Sequence, residues 1–466
     1  MPSTDRVVIV GGGPGGYEAA LVAAQLGAHV TLVDSDGVGG SAVLTDCVPS
    51  KTLIATAELM TDVEGAAELG VTLSDHGATD REGDEASSVH VDLAKVNARV
   101  LQLARDQSDD ITQRLEKEGV EVVRGRGRLE GPGTVVVDDL RLSADAVLLA
   151  TGAAPRTLPD AQPDGERILT WEQVYDLTEL PSHLIVVGSG VTGAEFASAY
   201  LALGSRVTLV SSRDHVLPGE DADAAAVLEE VLLRRGMQVL PRSRMESVRR
   251  AGDSVTVTLT DGHTVEGSHC ILALGSVPRT EGLGLETAGV DTDEAGFVTV
   301  DRVSRTTARG VYAAGDCTGV LMLASVAAMQ GRIAMWHFLG DAVSPLDLKR
   351  VSSNVFTAPE IATVGWSQQA VDRGEIQANQ ALLPLAGNAR AKMQGIHDGF
   401  VKLFCRPGTG IVVGGVVVAP RASELIHAVS VAVAESLTAD QLAQAFTVYP
   451  SLSGSVAEAA RRLHRV

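Results

Sequence analysis

The sequence contains few cysteines, and none of them is close to another in the chain. Among its 466 residues there are four, Cys47, Cys270, Cys317 and Cys405. Structural zinc sites and CxxC redox motifs need cysteines or histidines at short, fixed spacings. Wide scatter fits free thiols in a reducing compartment instead. We therefore expect no disulfide and no metal site.

Long apolar runs and an excess of basic residues are also lacking. No run reaches the roughly 18 apolar residues that a membrane-spanning helix needs, and no signal segment precedes the first apolar strand. The chain has 38 Lys and Arg against 59 Asp and Glu, a net charge of -21. Nucleic acids and anionic membranes attract basic surfaces. We expect a cytoplasmic protein with no nucleic-acid partner and no membrane insertion.

Two segments of the chain repeat one pattern of strand, glycine-rich turn and helix. They are RVVIVGGGPGGYEAALVAAQLG and HLIVVGSGVTGAEFASAYLALG, followed by the apolar strands HVTLVD and RVTLVSS. A lone GxGxxG is weak evidence, but two copies in the strand-turn-helix-strand context of a dinucleotide site are strong. The turn glycines are Gly11, Gly13 and Gly16 in the first unit and Gly188, Gly190 and Gly193 in the second.

The strand after each glycine turn carries the residues that select the nucleotide. Asp34 ends the first and is placed to accept a hydrogen bond from a ribose hydroxyl. The second ends in Ser211, Ser212 and Arg213, with no carboxylate. Hydroxyls with a guanidinium tolerate a 2'-phosphate that a carboxylate would repel. We therefore predict that the second unit accepts NADPH, alone or together with NADH.

The remaining sequence divides into an insertion, a return to the first sheet and a third region. The polar, acidic stretch Ser74 to Ser88 has no periodicity and is read as a surface insertion. A helical pattern spans Leu93 to Gly119, and the strands VEVVRGRG, TVVVDD and DAVLLATG are expected to rejoin the first sheet. From Ser344 onward, apolar strands alternate with helical stretches. The fold class predicted is α/β, with two Rossmann-like units and a C-terminal α+β domain.

The whole chain resembles the pyridine nucleotide-disulfide oxidoreductase family, which includes dihydrolipoamide dehydrogenase. The resemblance rests on motifs in the family's order, namely GGGPGGYEAA, GG(x)6CVPSK, ATGAAPR, VGSGVTGAE, YAAGDCTG, VFTAPEIATVG, NARAKM and ASELI. It implies a glutathione-reductase-like fold with an FAD domain at 1–156 and 275–343. The resemblance further implies an NAD(P)H domain at 157–274 and an interface domain at 344–466. Through the interface domain two copies of the chain would form a homodimer.

The resemblance also implies cofactor contacts, position by position. FAD would lie on the first glycine unit, with Asp316 binding its ribityl chain, and NAD(P)H on the second. Lys51 matches the lysine beside flavin N5, and Glu195 matches its carboxylate partner. The other implied cofactor-binding residues are Gly40, Ser41, Gly127, Thr151, Gly152, Gly275, Gly315, Met322, Leu323 and Ala324.

One of the family's two redox cysteines is missing. The family has two cysteines five positions apart, and here Ala42 stands at the first position and Cys47 at the second. The family's C-terminal His-Pro-Thr segment, whose histidine serves as acid and base, is replaced by Tyr449, Pro450 and Ser451, and Gly454 stands where the glutamate that orients the histidine would be. A phenol titrates near pH ~10 and does not replace that histidine near neutral pH. Both halves of the disulfide chemistry are absent together.

Two roles for Cys47 stay open at this stage. A helix N-terminus and a nearby lysine lower a thiol pKa, which would make Cys47 a thiolate that modulates the flavin. Alternatively, it is an inert neighbour of the flavin. The chain resembles actinobacterial homologues that lack the redox disulfide and act as NAD(P)H:quinone reductases.

We therefore predict electron transfer from NAD(P)H through FAD to a quinone or similar small acceptor. Tyr449 from the partner subunit would line the opening, or the quinone would use the nicotinamide face. The alternatives are a soluble transhydrogenase, a single-cysteine redox enzyme, and a flavoprotein scaffold or sensor with little turnover.

Overall fold

Helices and strands alternate through most of the chain. The protein is described by a computed structural model that covers residues 5–71 and 89–464. The helices are α1 (Pro14–Gln25), α2 (Gly40–Leu44), α3 (Cys47–Gly65), α4 (Leu93–Lys117), α5 (Val191–Ala202), α6 (Ala222–Arg234), α7 (Leu285–Ala288), α8 (Ala324–Phe338), α9 (Gln368–Asp372), α10 (Ala389–Met393), α11 (Ala422–Ala434), α12 (Ala439–Gln444) and α13 (Gly454–Leu463).

Within the described residues, the strands form six sheets. They are β1 (Arg6–Val10), β2 (His29–Asp34), β3 (Glu121–Arg124), β4 (Gly127–Gly131), β5 (Thr134–Val137), β6 (Leu140–Ser143), β7 (Ala146–Leu149), β8 (Ala153–Pro155), β9 (Ile168–Thr170), β10 (His183–Val187), β11 (Arg206–Val210), β12 (Gln238–Leu240), β13 (Met245–Ala251), β14 (Ser254–Leu259), β15 (Thr264–Gly267), β16 (His269–Leu272), β17 (Ser276–Pro278), β18 (Val311–Ala313), β19 (Ser352–Val355), β20 (Glu360–Gly365), β21 (Asn379–Pro384), β22 (Phe400–Cys405) and β23 (Val412–Ala419).

The first βαβ unit builds a five-stranded parallel sheet in the order β18, β7, β1, β2, β3. Its central strand is a short β-branched run whose last four residues are buried, as expected when helices cover both faces. Helices α1 and α8 pack so closely that position 331 must be glycine, because a Cβ there would overlap the carbonyl oxygen of Gly15. Because β1, β7 and β18 pair in parallel, their carboxyl ends lie at the same edge of the sheet. Ligands bind at this edge in such sheets.

The second unit repeats this arrangement. Its parallel sheet has the order β12, β11, β10, β16, β9, and β10 pairs with β11 as β1 pairs with β2. A three-stranded antiparallel sheet, β13–β14–β15, follows it. Strands β8 and β17 pair where the chain crosses between the two units. The duplication predicted from the sequence is thus present in the topology.

The third region is an antiparallel sheet with helices. Its order is β19, β20, β23, β22, β21, and β22 and β23 are buried throughout. One apolar core runs from α3 and the second unit into this sheet, with Leu53, Phe196, Leu209 and Phe400 among its members. The α+β character predicted for the C-terminal part is confirmed.

One strand prediction is wrong in its placement. Strand β3 and strand β7 join the first sheet as expected, but β5, from the sequence TVVVDD, does not. It pairs with β4 and β6 in a separate antiparallel sheet, because short turns on both sides allow pairing with its immediate neighbours. The predicted insertion from Ser74 to Ser88 lies outside the described residues. Within 5–71 and 89–464, no helix is both long and apolar enough to cross a bilayer.

Candidate functional site

The first glycine turn leaves an open surface at the start of a helix. Gly11 has φ +105, and a Cβ there would overlap the carbonyl oxygen of Ala150, while a Cβ at Gly16 would overlap that of Gly11. Gly13 differs, since its nearest protein neighbour would be the Cα of Gly40 at 4.0 Å. No side chain caps α1. The N-terminus of α1 therefore faces a space that suits a pyrophosphate.

The second turn repeats that geometry. Gly188 has φ +113 and a Cβ there would overlap the carbonyl oxygen of Ala273, while Gly193 packs against Gly188. A Cβ at Gly190 would meet no protein atom within 4 Å, and α5 also has no side-chain cap. The chain therefore carries two open helix N-termini of the kind that bind dinucleotides.

The Asp34 carboxylate holds the first glycine turn by hydrogen bonds and can still accept a hydrogen bond from a ligand. Its carboxylate accepts hydrogen bonds from the backbone N–H groups of Gly12 (2.6 Å), Asp36 (2.8 Å) and Gly37 (2.7 Å). A carboxylate offers about four acceptor positions, so roughly one remains for a ribose hydroxyl. Asp34 lies at the end of β2, and its contact with a ribose stays a prediction.

Residues after β11 differ in how far they can reach a ligand. Ser211 is fully buried, and its hydroxyl is hydrogen bonded to that of Ser189 at 2.7 Å. The prediction of a direct nucleotide contact by Ser211 is therefore wrong, because this hydroxyl holds the glycine turn to the strand end. Ser212 and Arg213 are exposed.

The sequence interpretation missed Arg242. Its backbone N–H donates to the carbonyl oxygen of Arg213 at 2.8 Å, and its side chain is largely exposed. Strand β12 pairs with β11 in parallel, which brings the two arginines to the same sheet edge. Only the pairing of these strands reveals the second guanidinium.

Lys51 and Glu195 form the ion pair predicted for the centre of the site. Lys51 Nζ lies 2.7 Å from Glu195 Oε2, and the other carboxylate oxygen accepts from the backbone N–H of Phe356 at 2.8 Å. The Lys51 ammonium also lies 4.7 Å from the centre of the Phe356 ring. Burial opposes the charged form of Lys51, but the Glu195 carboxylate outweighs it and raises the pKa of Lys51. The site thus contains a fixed cation.

Cys47 is not a thiolate in this environment. It is the first residue of α3, as the sequence predicted, but burial raises its pKa to about 12. The adjacent Asp46 carboxylate raises the pKa further, and the opposing effect of Lys51 is smaller. The hypothesis of a lowered pKa is therefore wrong, because desolvation exceeds the help of the lysine and the helix N-terminus. None of the four cysteines is in a disulfide.

The carboxyl edge of the first sheet brings Thr151, Gly152, Gly315 and Asp316 together. Thr151 and Gly152 follow β7, and Gly315 follows its neighbour β18. Burial, and secondarily Asp46, raises the pKa of Asp316 to about 6. The Gly315 N–H donates to the buried Gln330 side chain at 2.8 Å, a support that the sequence did not reveal.

The other predicted cofactor residues have different surroundings. A Cβ at Gly40 would lie 2.7 Å from the Cα of Gly13, so α2 begins against the first turn, with Ser41 as its second residue. A Cβ at Gly127 would lie 3.0 Å from Val10, which explains that glycine by packing. Gly275 follows β16 and faces open space. The segment at the start of α8 is partly exposed and comprises Met322, Leu323 and Ala324.

Tyr449 lies apart from these residues within one subunit. It is 86% exposed and shows no hydrogen bond or ring contact with Lys51 or Glu195 in the described chain. Phe446 and Val448 beside it are also strongly exposed. We call Phe446–Tyr449 the exposed apolar segment. It lies shortly before α13.

Comparison with known proteins identifies the family. The model of the pyridine nucleotide-disulphide oxidoreductase family matches residues 5–331, and that of its dimerisation domain matches residues 351–460. A curated relative, NAD(P)H dehydrogenase (quinone) of Mycobacterium tuberculosis, is 56% identical over 98% of this chain and 94% of its own length. Dihydrolipoyl dehydrogenase of Zymomonas mobilis is 31% identical over 97% and 96%.

Solved structures agree with this result. LpdA from Mycobacterium tuberculosis has a TM-score of 0.92 and 55% identity, over 99% of this chain and all of that one. The flavoprotein disulfide reductase RclA from Escherichia coli, at 24% identity and a TM-score of 0.85 over 98% and 99%, shows the shared fold alone. The chain belongs to the pyridine nucleotide-disulphide oxidoreductase family, whose members use FAD and NAD(P)H. The predicted family and the predicted fold are confirmed.

Proposed function

We propose that this protein is an FAD-dependent NAD(P)H oxidoreductase that passes electrons from the flavin directly to a quinone. The observation that carries the proposal is Ala42, which leaves Cys47 without a thiol partner while the Lys51–Glu195 pair is intact. A dithiol relay is thus removed and the nucleotide sites are kept. The relative named NAD(P)H dehydrogenase (quinone), at 56% identity, supports this acceptor class.

Each part of the site would have its own role in this reaction. The first glycine turn and Asp34 would hold FAD, and the second turn would hold NAD(P)H. When bound, FAD accepts a hydride from NAD(P)H and gives up two electrons. Lys51 would hold a positive charge beside the flavin, where it would stabilise developing negative charge. Glu195, fixed by the Phe356 N–H, keeps that charge in place.

The surroundings of Cys47 oppose a mechanism based on this single cysteine. The thiolate is the reactive form of cysteine, and the pKa of Cys47 is about 12. Very little of Cys47 would therefore be nucleophilic near neutral pH. This supports its interpretation as a neighbour of the flavin.

The nucleotide preference and the assembly are further parts of the proposal. Ser212, Arg213 and the newly identified Arg242 would accept a 2'-phosphate, so NADPH is a substrate. We propose a homodimer in which Tyr449 of the partner subunit lines the acceptor opening. The match to the dimerisation domain and the exposed apolar segment Phe446–Tyr449 support it. Four cysteines without a disulfide support a cytoplasmic location.

An acceptor screen with the FAD-loaded protein and NADPH tests the function. Menadione should turn over rapidly, and lipoamide should not. Lipoamide turnover, or faster reduction of thio-NADP⁺ than of menadione, would count against a quinone reductase and favour a disulfide reductase or a transhydrogenase. Reduction of bound FAD without turnover of any acceptor would favour a scaffold or sensor. Cys47→Ser should keep menadione turnover, whereas its loss would assign the thiol an essential role.

A further inference from the structure

The second glycine turn is held from one side by the residues that follow β11. Residues 213–221, which we call the connecting segment, lie between β11 and α6. The backbone N–H of Leu217 donates to the carbonyl oxygen of Ser189, the residue between the first two glycines of the turn, at 2.8 Å. The backbone N–H of Arg213 donates to Ser211 Oγ at 3.1 Å, and that hydroxyl is bonded to Ser189. The connecting segment is therefore hydrogen bonded to the turn directly and through Ser211.

The middle of the connecting segment has a backbone conformation that needs support from its surroundings. Leu217 has φ +53, in the left-handed region that a branched side chain seldom adopts, and it is buried. The preceding Val216 is also buried, and its N–H donates to the Glu229 carboxylate of α6 at 2.8 Å. A conformation of this kind persists only where the surrounding structure enforces it. The position of α6 therefore determines whether the segment stays against the turn.

The end of the connecting segment is anchored by a lysine of the C-terminal domain. Asp221 is the N-cap of α6, and its carboxylate accepts from the backbone N–H groups of Asp223 at 3.1 Å and Ala224 at 3.3 Å. Each of its two oxygens also accepts from Lys402 Nζ at 2.8 Å. One carboxylate thus joins the start of α6 to strand β22.

Lys402 occupies an unusual place for a lysine. It stands in the middle of β22, whose six residues are all buried, and its neighbours on the same face, Phe400 and Phe404, belong to the core shared with the second unit. Replacing a buried ion pair by apolar side chains is often neutral or stabilising. Stability alone therefore does not explain a lysine here. What the pair adds is a fixed geometry between two domains.

The contacts form a continuous connection from the C-terminal domain to the nucleotide site. Lys402 binds Asp221, and the backbone N–H of the adjacent Glu220 donates to the carbonyl oxygen of Leu217 at 3.1 Å. Leu217 in turn holds Ser189. Helix α5 begins directly after this turn, and its N-terminus is the part that suits a pyrophosphate. A shift of the connecting segment would therefore displace the groups that bind the nucleotide.

We propose, on the basis of the NAD(P)H site in the proposed function, that Lys402 is a positioning residue for the nicotinamide nucleotide. Only 2% of its side chain is exposed, so it acts through Asp221 and not by contact with the nucleotide. By holding Asp221, it keeps the connecting segment against the second glycine turn in the conformation that binds the pyrophosphate. The C-terminal domain thereby sets the affinity for the electron donor.

The kinetic test uses a variant that leaves no buried charge unpaired. In the FAD-loaded double variant Lys402→Met/Asp221→Asn, asparagine still serves as an N-cap, and the remaining Asp223 is 60% exposed. KM for NADPH and for NADH should each rise roughly tenfold, the equivalent of one hydrogen bond. The rate of FAD reduction at saturating NADPH and the KM for menadione should be unchanged. Lys392→Met, at an exposed lysine of the same domain, is the matched control and should keep all these values.

Two further measurements do not depend on turnover. Isothermal titration calorimetry should show that the double variant binds NADP⁺ roughly tenfold more weakly than the wild type. Hydrogen exchange followed by mass spectrometry should be faster in residues 213–221 and 188–193, because the Leu217 N–H loses its fixed position against the turn. Exchange in the first glycine turn, residues 11–16, should be unchanged.

The outcomes separate this inference from the proposed function. Unchanged KM and Kd in the double variant, a slower limiting rate of FAD reduction without a change in KM, or equally faster exchange in both glycine turns would each overturn the role of Lys402. A wild type that binds NADP⁺ and reduces its FAD with NADPH but does not reduce menadione overturns quinone reduction and leaves the inference standing. A wild type whose FAD is not reduced by NADPH overturns both.

Discussion

Lys402 Nζ lies 2.8 Å from both carboxylate oxygens of Asp221, and the two side chains are each only 2% exposed. Lys402 belongs to β22 of the C-terminal sheet, whereas Asp221 is the N-cap of α6 in the second nucleotide unit. The ion pair therefore joins the unit that would hold NAD(P)H to the C-terminal domain. Asp223, which is 60% exposed, lies 2.6 Å from the same ammonium.

Breaking this pair should destabilise the protein strongly. In Lys402→Met the Asp221 carboxylate stays buried without its cation, which costs about 3–5 kcal/mol in comparable sites. Denaturant unfolding of the FAD-loaded protein should show a lower midpoint. Lys392→Met, at an exposed lysine of α10, is the control and should have little effect. Adding Asp221→Asn to Lys402→Met should recover stability, and a double variant no more stable than Lys402→Met would argue against the ion pair.

Removing the positive charge of Lys51 should slow reduction of the flavin. Lys51→Met removes the cation that we propose lies beside the flavin, and we expect at least about a tenfold slower hydride transfer, or roughly 1.4 kcal/mol. Stopped-flow absorbance of bound FAD on mixing with NADPH measures this step directly. Lys117→Met, at the exposed end of α4, should retain the wild-type rate. An unchanged rate in Lys51→Met would remove Lys51 from the mechanism.

Glu195 controls the pH range in which Lys51 remains charged. Its carboxylate raises the pKa of Lys51 against the effect of burial. In the wild type, activity that depends on the cation should persist as pH rises to the ordinary lysine range and decline only above it. In Glu195→Gln the main effect opposing burial is gone and only the smaller contributions of Cys47 and Asp46 remain, so the decline should move to lower pH. Rate–pH profiles of the two proteins would show the shift, and coincident alkaline limbs would contradict it.

The features that could be predicted from the sequence are those carried by local patterns. The two glycine turns follow from residue spacing, because Gly11 and Gly188 need a positive φ and Gly16 and Gly193 need close packing. The pairing of Lys51 with Glu195, 144 positions apart, came only through the resemblance to a family. Composition and periodicity carry no information about such long-range contacts.

Features that depend on tertiary contacts were missed or misjudged. Ser211 follows its strand as a nucleotide-contacting residue would, but its partner Ser189 lies on another element and buries it. Cys47 lies at a helix N-terminus, yet desolvation decides its pKa. Asp46 precedes the helix as an N-cap would, and only the structure shows that its carboxylate faces other charges. Burial reverses the expectation for Ser211 and for Cys47.

The two arginines at the edge of the second sheet should favour NADPH over NADH. Arg213→Ala and Arg242→Ala should each lower kcat/KM for NADPH by roughly tenfold, the size of one charge-assisted hydrogen bond to phosphate, and leave NADH little changed. Arg249→Ala, at an exposed arginine of β13, is the matched control. Steady-state kinetics with both nucleotides measure the ratio. Equal losses with NADPH and NADH would mean that the arginines do not read the 2'-phosphate.

Restoring the missing cysteine should restore a disulfide but not a disulfide reductase. The backbone N–H of Asp46 donates to the carbonyl oxygen of Ser41 at 2.7 Å, so positions 42 and 47 are one turn apart. In Ala42→Cys we therefore expect the introduced thiol and that of Cys47 to oxidise to a bond that NADPH reduces through FAD.

Thiol titration of the denatured Ala42→Cys protein should find two more thiols after anaerobic treatment with NADPH than before it. The same titration of the wild type should show no change, since none of its four cysteines is in a disulfide. Lipoamide turnover should remain absent, because Tyr449 cannot supply the acid and base chemistry of the histidine in the related disulfide reductases. Efficient lipoamide reduction by Ala42→Cys would instead show that the loss of one sulfur alone separates this protein from those enzymes.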